Sequence, residues 1–212
     1  TTAGPGICTI LAPFPADNTQ SRVHVFNFDC TPPAGSTFKQ AQCRLDSGNW
    51  ETCTTSSSHS LANLSDGLHS FLVRMVSVPN AAGSADVTSL ARSYPWRVDT
   101  LAPSVNITNA QVQTLTPSFA FQGSDGAGSG LQKYECKLYQ EGAAGTFADC
   151  VSPIDYTTAL VSGKLSYFVV RGIDRAGNIS AEAIYQWTAG SVAGPLCRIT
   201  TPQPVSGYLS IN

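Results

Sequence analysis

One pattern runs through this chain twice, and no other feature limits its fold as much. The stretch FKQAQCRLDSGNWETC, ending at Cys53, is answered by LQKYECKLYQEGAAGTFADC, ending at Cys150. SLANLSDGLHSFLVRMVS is answered by YTTALVSGKLSYFVVRGID, and SYPWRVDTLAP by IYQWTAGSVAGP. Aligned this way, Cys43 matches Cys136, Cys53 matches Cys150, Gly67 matches Gly163, Arg74 matches Arg171 and Trp96 matches Trp187. A chain of 212 residues that repeats itself so holds two homologous modules of ordinary domain size. We set them at residues 1–101 and 102–194, joined near Asp99 and Pro103, with residues 195–212 left over.

Within each module apolar residues alternate over short runs: VHVFNF at 23–28, HSFLVRMV at 69–76, SFAFQG at 118–123 and SYFVVRGI at 166–173. Period two in runs rich in Val, Phe and Tyr, bounded by Gly, Pro, Asn and Ser, reads as half-buried strands. Nothing sustains a helical period. About seven short strands in roughly 95 residues is the arithmetic of an antiparallel sandwich.

Charge narrows the function. Only 12% of the residues are charged and the formal net charge is −2, so the chain carries no footprint for nucleic acid or an anionic membrane. No apolar run approaches the ~20 residues needed to span a bilayer, so no membrane insertion is expected. The first residues carry no leader pattern; if the protein is secreted, these residues describe its mature form. Seven cysteines beside a single methionine point to an oxidising compartment. No C-x-x-C pair or Cys/His knuckle supports metal binding instead.

The run C-x-L-D-x-G-x-W-x-x-C at Cys43, followed by L-x-D-G-x-H-x-F-x-V-R and closed by W-x-V-D-x-x-x-P, resembles the immunoglobulin-like repeats of large extracellular proteins of bacteria and algae. GSGLQKYECKL and VRGIDRAGN of the second module fit the same pattern. Module 1 departs from it at VRMVSVPNAAG, and module 2 lacks the L-D-x-G-x-W turn. The resemblance implies an all-β chain of two tandem Ig-like antiparallel β-sandwiches with a C-terminal extension strand. It also implies scaffolding or adhesion rather than catalysis, although a fold alone does not fix a function.

The cysteines divide accordingly. Cys43 and Cys53 flank the DSGN turn, and Cys136 and Cys150 flank the longer QEGAAGT loop, so each pair is expected to clip neighbouring strands of its own module. Cys8 and Cys30 have Val105 and Gly123 opposite them in module 2, and this joint absence pairs Cys8 with Cys30. Each bridge contributes ~2–4 kcal/mol. Cys197 is left over, unpaired or bonded to another chain.

Cys197 also belongs to a second repeat. GPGICTILAPFP places Cys8, Ile10, Pro13 and Pro15 in the order C-x-I-x-x-P-x-P, and GPLCRITTPQP repeats it with Cys197, Ile199, Pro202 and Pro204, 189 residues later (197 − 8). Residues 195–212 therefore read as the opening segment of a third module whose body is missing, with Tyr208 and Leu209 in the same segment. A strand alone satisfies neither its backbone nor its apolar side chains. Its expected host is either another copy of the chain, reached by strand addition, or the next period of a longer polypeptide. A head-to-tail contact that does not close a ring builds an open helical filament. The expected protein is thus an extracellular structural glycoprotein subunit that assembles with itself into a fibril, and it resembles the glycosylated Ig-like subunits of helical surface fibrils from aquatic microorganisms. An adhesive or carbohydrate-binding ectodomain fragment is the alternative.

The remaining motifs point to sugar and to little chemistry. Asn63 (NLS), Asn106 (NIT) and Asn178 (NIS) are N-glycosylation acceptors, with Asn63 and Asn178 expected in exposed turns. The resemblance to algal proteins implies Pro32 and Pro33 as acceptors of hydroxyproline-linked sugar. Asp125 in GSDGAGSG and Asp174 in GIDRAGN invite a calcium site, but the EF-hand spacing is absent, so turn chemistry and no metal or cofactor are expected. His24, His59 and His69 accompany no nucleophile elbow, zinc helix or phosphate loop, and no enzyme is expected. Arg74 and Arg171 should serve the sheet surface, and Trp96 and Trp187 the cores or the junction.

Overall fold

The structure, a computed structural model, describes residues 6–190. The assembly segment, with Cys197, Ile199, Pro202, Pro204, Tyr208 and Leu209, lies outside the described residues.

Alternating sequence becomes strand in both modules. Module 1 runs β1 (Ile7–Leu11), β2 (Asn18–Thr19), β3 (His24–Thr31), β4 (Ser36–Leu45), β5 (Glu51–Thr52), β6 (Ser58–Leu61), β7 (Gly67–Pro79), β8 (Val87–Thr88) and β9 (Arg92–Val98). Module 2 runs β10 (Ser104–Gln111), β11 (Ser118–Ser124), β12 (Leu131–Gln140), β13 (Ala148–Cys150), β14 (Ile154–Asp155), β15 (Leu165–Asp174) and β16 (Ala183–Thr188). The three-stranded sheet β1-β3-β6 of module 1 matches β10-β11-β14, and the order β9-β7-β4-β5 matches β16-β15-β12-β13. Module 1 adds two short strands, β2 beside β9 and β8 beside β7. Each module is therefore a two-sheet, mainly antiparallel sandwich, and its core lies where the inward faces of the two sheets meet.

The period-two runs sort these faces. Along β3, Phe26 and Phe28 are buried while Val25 is exposed; along β7, Phe71, Val73 and Met75 are buried. The same aromatic stack crosses between the sheets in each module. Phe26 of β3 stacks on Phe71 of β7 with ring centroids 4.3 Å apart, and Trp96 tilts against Phe26 at 5.2 Å. Phe119 of β11 stacks on Phe168 of β15 at 4.0 Å, and Trp187 lies 5.4 Å from Phe119. The offsets between equivalent rings are 93 (119 − 26), 97 (168 − 71) and 91 (187 − 96). Insertions and deletions thus fall in loops: QEGAAGT lengthens the β12–β13 turn, and module 1 spends its extra residues before β9 on β8.

Disulfides join Cys8 to Cys30, Cys43 to Cys53 and Cys136 to Cys150. Cys8 and Cys30 face each other directly across β1 and β3. The other two bridges are diagonal, each reaching two positions past the residue opposite: Cys43 faces Glu51 and bonds Cys53, and Cys136 faces Ala148 and bonds Cys150. Module 2 has a different solution where module 1 has Cys8–Cys30. Val105 faces Gly123 there, and the ring of Tyr134 covers Gly123 so closely that an added Cβ would stand 3.0 Å from it and 2.8 Å from the Ser104 carbonyl. The residue equivalent to Tyr134 in module 1 is the buried Ala41 (134 − 93). A cystine beside a small residue has been exchanged for a glycine beneath a large ring, which conserves core volume.

Gly123→Ala should therefore destabilise module 2 by ~1–3 kcal/mol through overpacking. Hydrogen exchange should show faster opening of β11, β12 and β15 while β3 and β7 keep their protection.

Candidate functional site

The most concentrated polar chemistry sits where the modules meet. Asp99 follows β9, Asp125 lies in the turn between β11 and β12, and Asp174 ends β15. One carboxylate oxygen from each lies within 4.8 Å of the others. Asp99 and Asp174 are 1% and 0% exposed. The glycines of GSDGAGSG permit this convergence. Gly126 and Gly130 adopt positive φ, and a Cβ on Gly128 would come within 2.7 Å of both the Asp125 and the Asp99 carboxylates.

Hydrogen bonds fix two of the three carboxylates on both oxygens. Asp99 accepts from the Leu101 and Ser129 backbone N–H groups at 3.1 and 2.5 Å. Asp174 accepts from the Asn178 backbone and from Asn178 Nδ2, both at 2.8 Å. Asp125 uses Oδ2 for the Gly130 N–H at 2.6 Å, whereas its Oδ1 is buried without a hydrogen-bond partner among the described residues. The junction is further laced by Asn178 Nδ2 to the Asp99 carbonyl at 3.0 Å, Arg97 to the Ala127 carbonyl at 3.0 Å and Gln20 to the Ala176 carbonyl at 3.2 Å. A cleft of about 470 Å³, lined in part by Asp66, Asp99, Asp125 and Gly128, opens beside the cluster.

Environment drives two of these acids apart. Burial pushes Asp99 up, but hydrogen bonds from Ser129 and Leu101 and the charge of Arg97 outweigh it, and the carboxyl sits below its ordinary value. Burial raises Asp125; the Gly130 hydrogen bond and Arg97 oppose it, the charges of Asp99 and Asp174 add to it, and the balance leaves it above its ordinary value. The turn chemistry expected of Asp125 and Asp174 is present in their bonds to Gly130 and Asn178, but their meeting with Asp99 is not visible in local spacing. The available signal was an acidic residue in each of three segments that two tandem modules bring to one junction.

The other singled-out residues fall elsewhere. Asn63 and Asn106 are exposed, Asn63 with φ 56° and Asn106 on the outer face of β10. Asn178 corrects the expectation of an exposed turn: it is half-buried, both Nδ2 protons are engaged, and Ser180 of its sequon is buried and bonded to Gly172. Pro32 and Pro33 follow β3 and are half-buried. Arg74 lies 4.0 Å over the Trp50 ring and donates to Gln42, and Arg171 lies 4.0 Å over Phe147 and pairs with Glu135 at 2.7 Å. The two arginines thus do equivalent work on the outer faces of equivalent sheets. Trp96 and Trp187 are core residues.

All three histidines are in module 1. Burial lowers His59, with only partial opposition from Glu51, and burial lowers His24 against a hydrogen bond to Pro13. His69 bridges Asp46 and the Ser65 carbonyl at 2.9 and 2.8 Å, tying the DSGN turn to β7.

No protein-family model and no curated protein sequence matches the chain. Among solved structures, the fibronectin(III)-like modules of Clostridium thermocellum CbhA match over 86% of this chain and 94% of theirs, at 14% identity and a TM-score of 0.42.

The lowered histidines give module 1 a defined acid response. Each is neutral in the fold and takes up a proton more readily when unfolded, so stability is full above about pH 6.5, their unfolded value, and falls as pH drops through the window below it. Thermal unfolding at stepped pH should show module 1 losing stability over this range, and His59→Gln should flatten the decline. Equal decline in parent and variant would place the cause elsewhere.

Proposed function

We propose that this chain is a unit of an extracellular structural array, in which residues 195–212 serve as the opening strand of a neighbouring module. The observation that carries the reading is what the first copy of the repeated phrase does. In β1, Cys8 clasps β3 through its disulfide, Ile10 packs against the core, and Pro15 is buried with its carbonyl accepting from Tyr94 at 3.0 Å. The chain then reaches the other sheet, where β2 pairs with β9. The phrase is a device for starting a sandwich and switching between its sheets. Cys197, Ile199 and Pro204 repeat the positions of Cys8, Ile10 and Pro15, which do this work.

Six of the seven cysteines form intramolecular bridges, which leaves Cys197 to a partner in the host. Three disulfides in two small modules fit an oxidising, extracellular setting. The exposed Asn63 and Asn106 supply glycan positions, whereas Asn178 is committed to the junction. The structural reading is supported over the adhesive one by the tryptophans. Trp96 and Trp187 are buried and Trp50 carries Arg44 and Arg74 against its ring, so no tryptophan offers a sugar an open face.

Negative-stain electron microscopy of native material should show fibres that disappear when the chain is truncated after Gly194. Monodisperse particles from both would contradict assembly through this segment. Glycopeptide mapping of the same native material should find sugar at Asn63 or Asn106 and none at Asn178.

A further inference from the structure

We propose that residues 195–212 of a second copy of this chain lie in a groove on the flank of module 1, between the open edges of β1 and β9. The inference rests on the reading of that segment as a donor strand, and it names the host.

Two strand edges make the groove. β1 is bonded to β3 on one side and to no described strand on the other. β9 is bonded to β7 from Arg92 to Val98, but β2 covers its other edge only at Arg97 and Val98. There the N–H groups of Arg97 and Asp99 donate to the carbonyls of Asp17 and Thr19 at 2.9 and 2.8 Å. Backbone groups alternate in direction along a strand, so Ser93 and Pro95 turn the same way as Arg97, with no described strand beside them. Two hollows, of about 310 and 180 Å³, meet at Arg92 between these edges. Ile7, Ile10 and Phe14 line them from the β1 side, and Leu90 and Tyr94 from the β9 side. Ile7, Phe14 and Leu90 are 48%, 46% and 78% exposed. Unpaired backbone above apolar side chains is what an added strand requires.

The internal repeat makes this surface particular to module 1. By the alignments that match Cys8 with Val105 and Trp96 with Trp187, Ile7 becomes Ser104, Thr9 becomes Asn106 and Leu90 becomes Ala181. The flank of module 2 is therefore polar, with an exposed sequon asparagine on its edge strand β10. The apolar flank belongs to the module farther from residues 195–212 in sequence, as a head-to-tail contact requires. The segment suits it, with Arg198 as its one charged residue among Leu196, Ile199, Val205, Tyr208 and Leu209.

Reach decides between the chain's own module 1 and that of another copy. Thr188 lies opposite Leu165, and β15 runs from there to Asp174 at the junction, about 30 Å at ~3.3 Å per residue. Arg92 lies about 20 Å beyond the junction, at the other end of β9. Cys197 and Ile199 follow Gly190 by seven and nine residues (197 − 190 and 199 − 190), which span at most about 25 and 32 Å. Their own groove is out of reach, whereas a neighbour can present its module 1 directly to the end of module 2.

The test compares the full-length parent with Leu90→Glu and with Ala181→Glu, the matching change on module 2, by electron microscopy and sedimentation. Hydrogen exchange is read on the assembled and the isolated parent. Leu90→Glu should lower the assembled fraction about tenfold or more, because the groove would have to bury a charge. Its monomer should melt as the parent does, and Ala181→Glu should assemble normally. Assembly should slow exchange in peptides covering residues 7–11 and 90–96 and leave 104–108 and 181–185 unchanged. Suppose truncation after Gly194 abolishes fibres, yet Leu90→Glu assembles like the parent, or Ala181→Glu fails equally, or peptides 7–11 and 90–96 exchange alike in both states. The groove is then overturned, whether another surface is the host or the chain's own residues already fill it, and the donor role of residues 195–212 stands. Fibres that persist after truncation overturn the donor role and the groove together.

Discussion

Each module is built around one aromatic stack between its sheets, a phenylalanine from the three-stranded sheet on a phenylalanine from the larger sheet, closed at the side by a tryptophan. Phe26, Phe71 and Trp96 make it in module 1, and Phe119, Phe168 and Trp187 remake it in module 2. Such rings combine large buried area with a preferred geometry, so they set sheet spacing as well as stability. Everything around the stack can vary while it stays. Loops lengthen or shorten, β2 and β8 come and go, and one module uses a cystine where the other seats Tyr134 over Gly123.

The junction works on a different principle. Its contacts are polar, short and shared between segments far apart in sequence. Asn178 illustrates this. Its side chain bonds the Asp174 carboxylate of its own module and the Asp99 carbonyl of the other, so a residue with a glycosylation sequon is spent on joining modules.

Much of the fold was legible because its signals are local or repeated. Period-two runs gave β3, β7, β11 and β15, and the repeat gave their equivalence. The joint absence of Cys8 and Cys30 equivalents singled out the pair that the structure bonds, since a lone cysteine would have had no reason to vanish with its partner. The compensation by Tyr134 was not legible, because it links residues on different strands whose volumes matter only once they are packed. The acidic cluster was hidden for a related reason. Asp99, Asp125 and Asp174 each look like ordinary turn or linker residues, and only the docking of one module against the next brings them together. Asn178 misled in the opposite direction: its turn reads as solvent-facing, but its side chain is spent on the Asp99 carbonyl at the end of module 1 and on the Asp174 carboxylate.

The central claim is that the phrase at Cys197 is used as its first copy is used. Hydrogen exchange measured on assembled material and on the isolated chain tests this most directly, peptide by peptide across residues 195–212. Strand pairing on a host protects backbone amides around Cys197 and Ile199 as β1 is protected around Cys8 and Ile10, and the account predicts that protection in the assembly and its loss in the isolated chain. Equally rapid exchange of those amides in both states would contradict it.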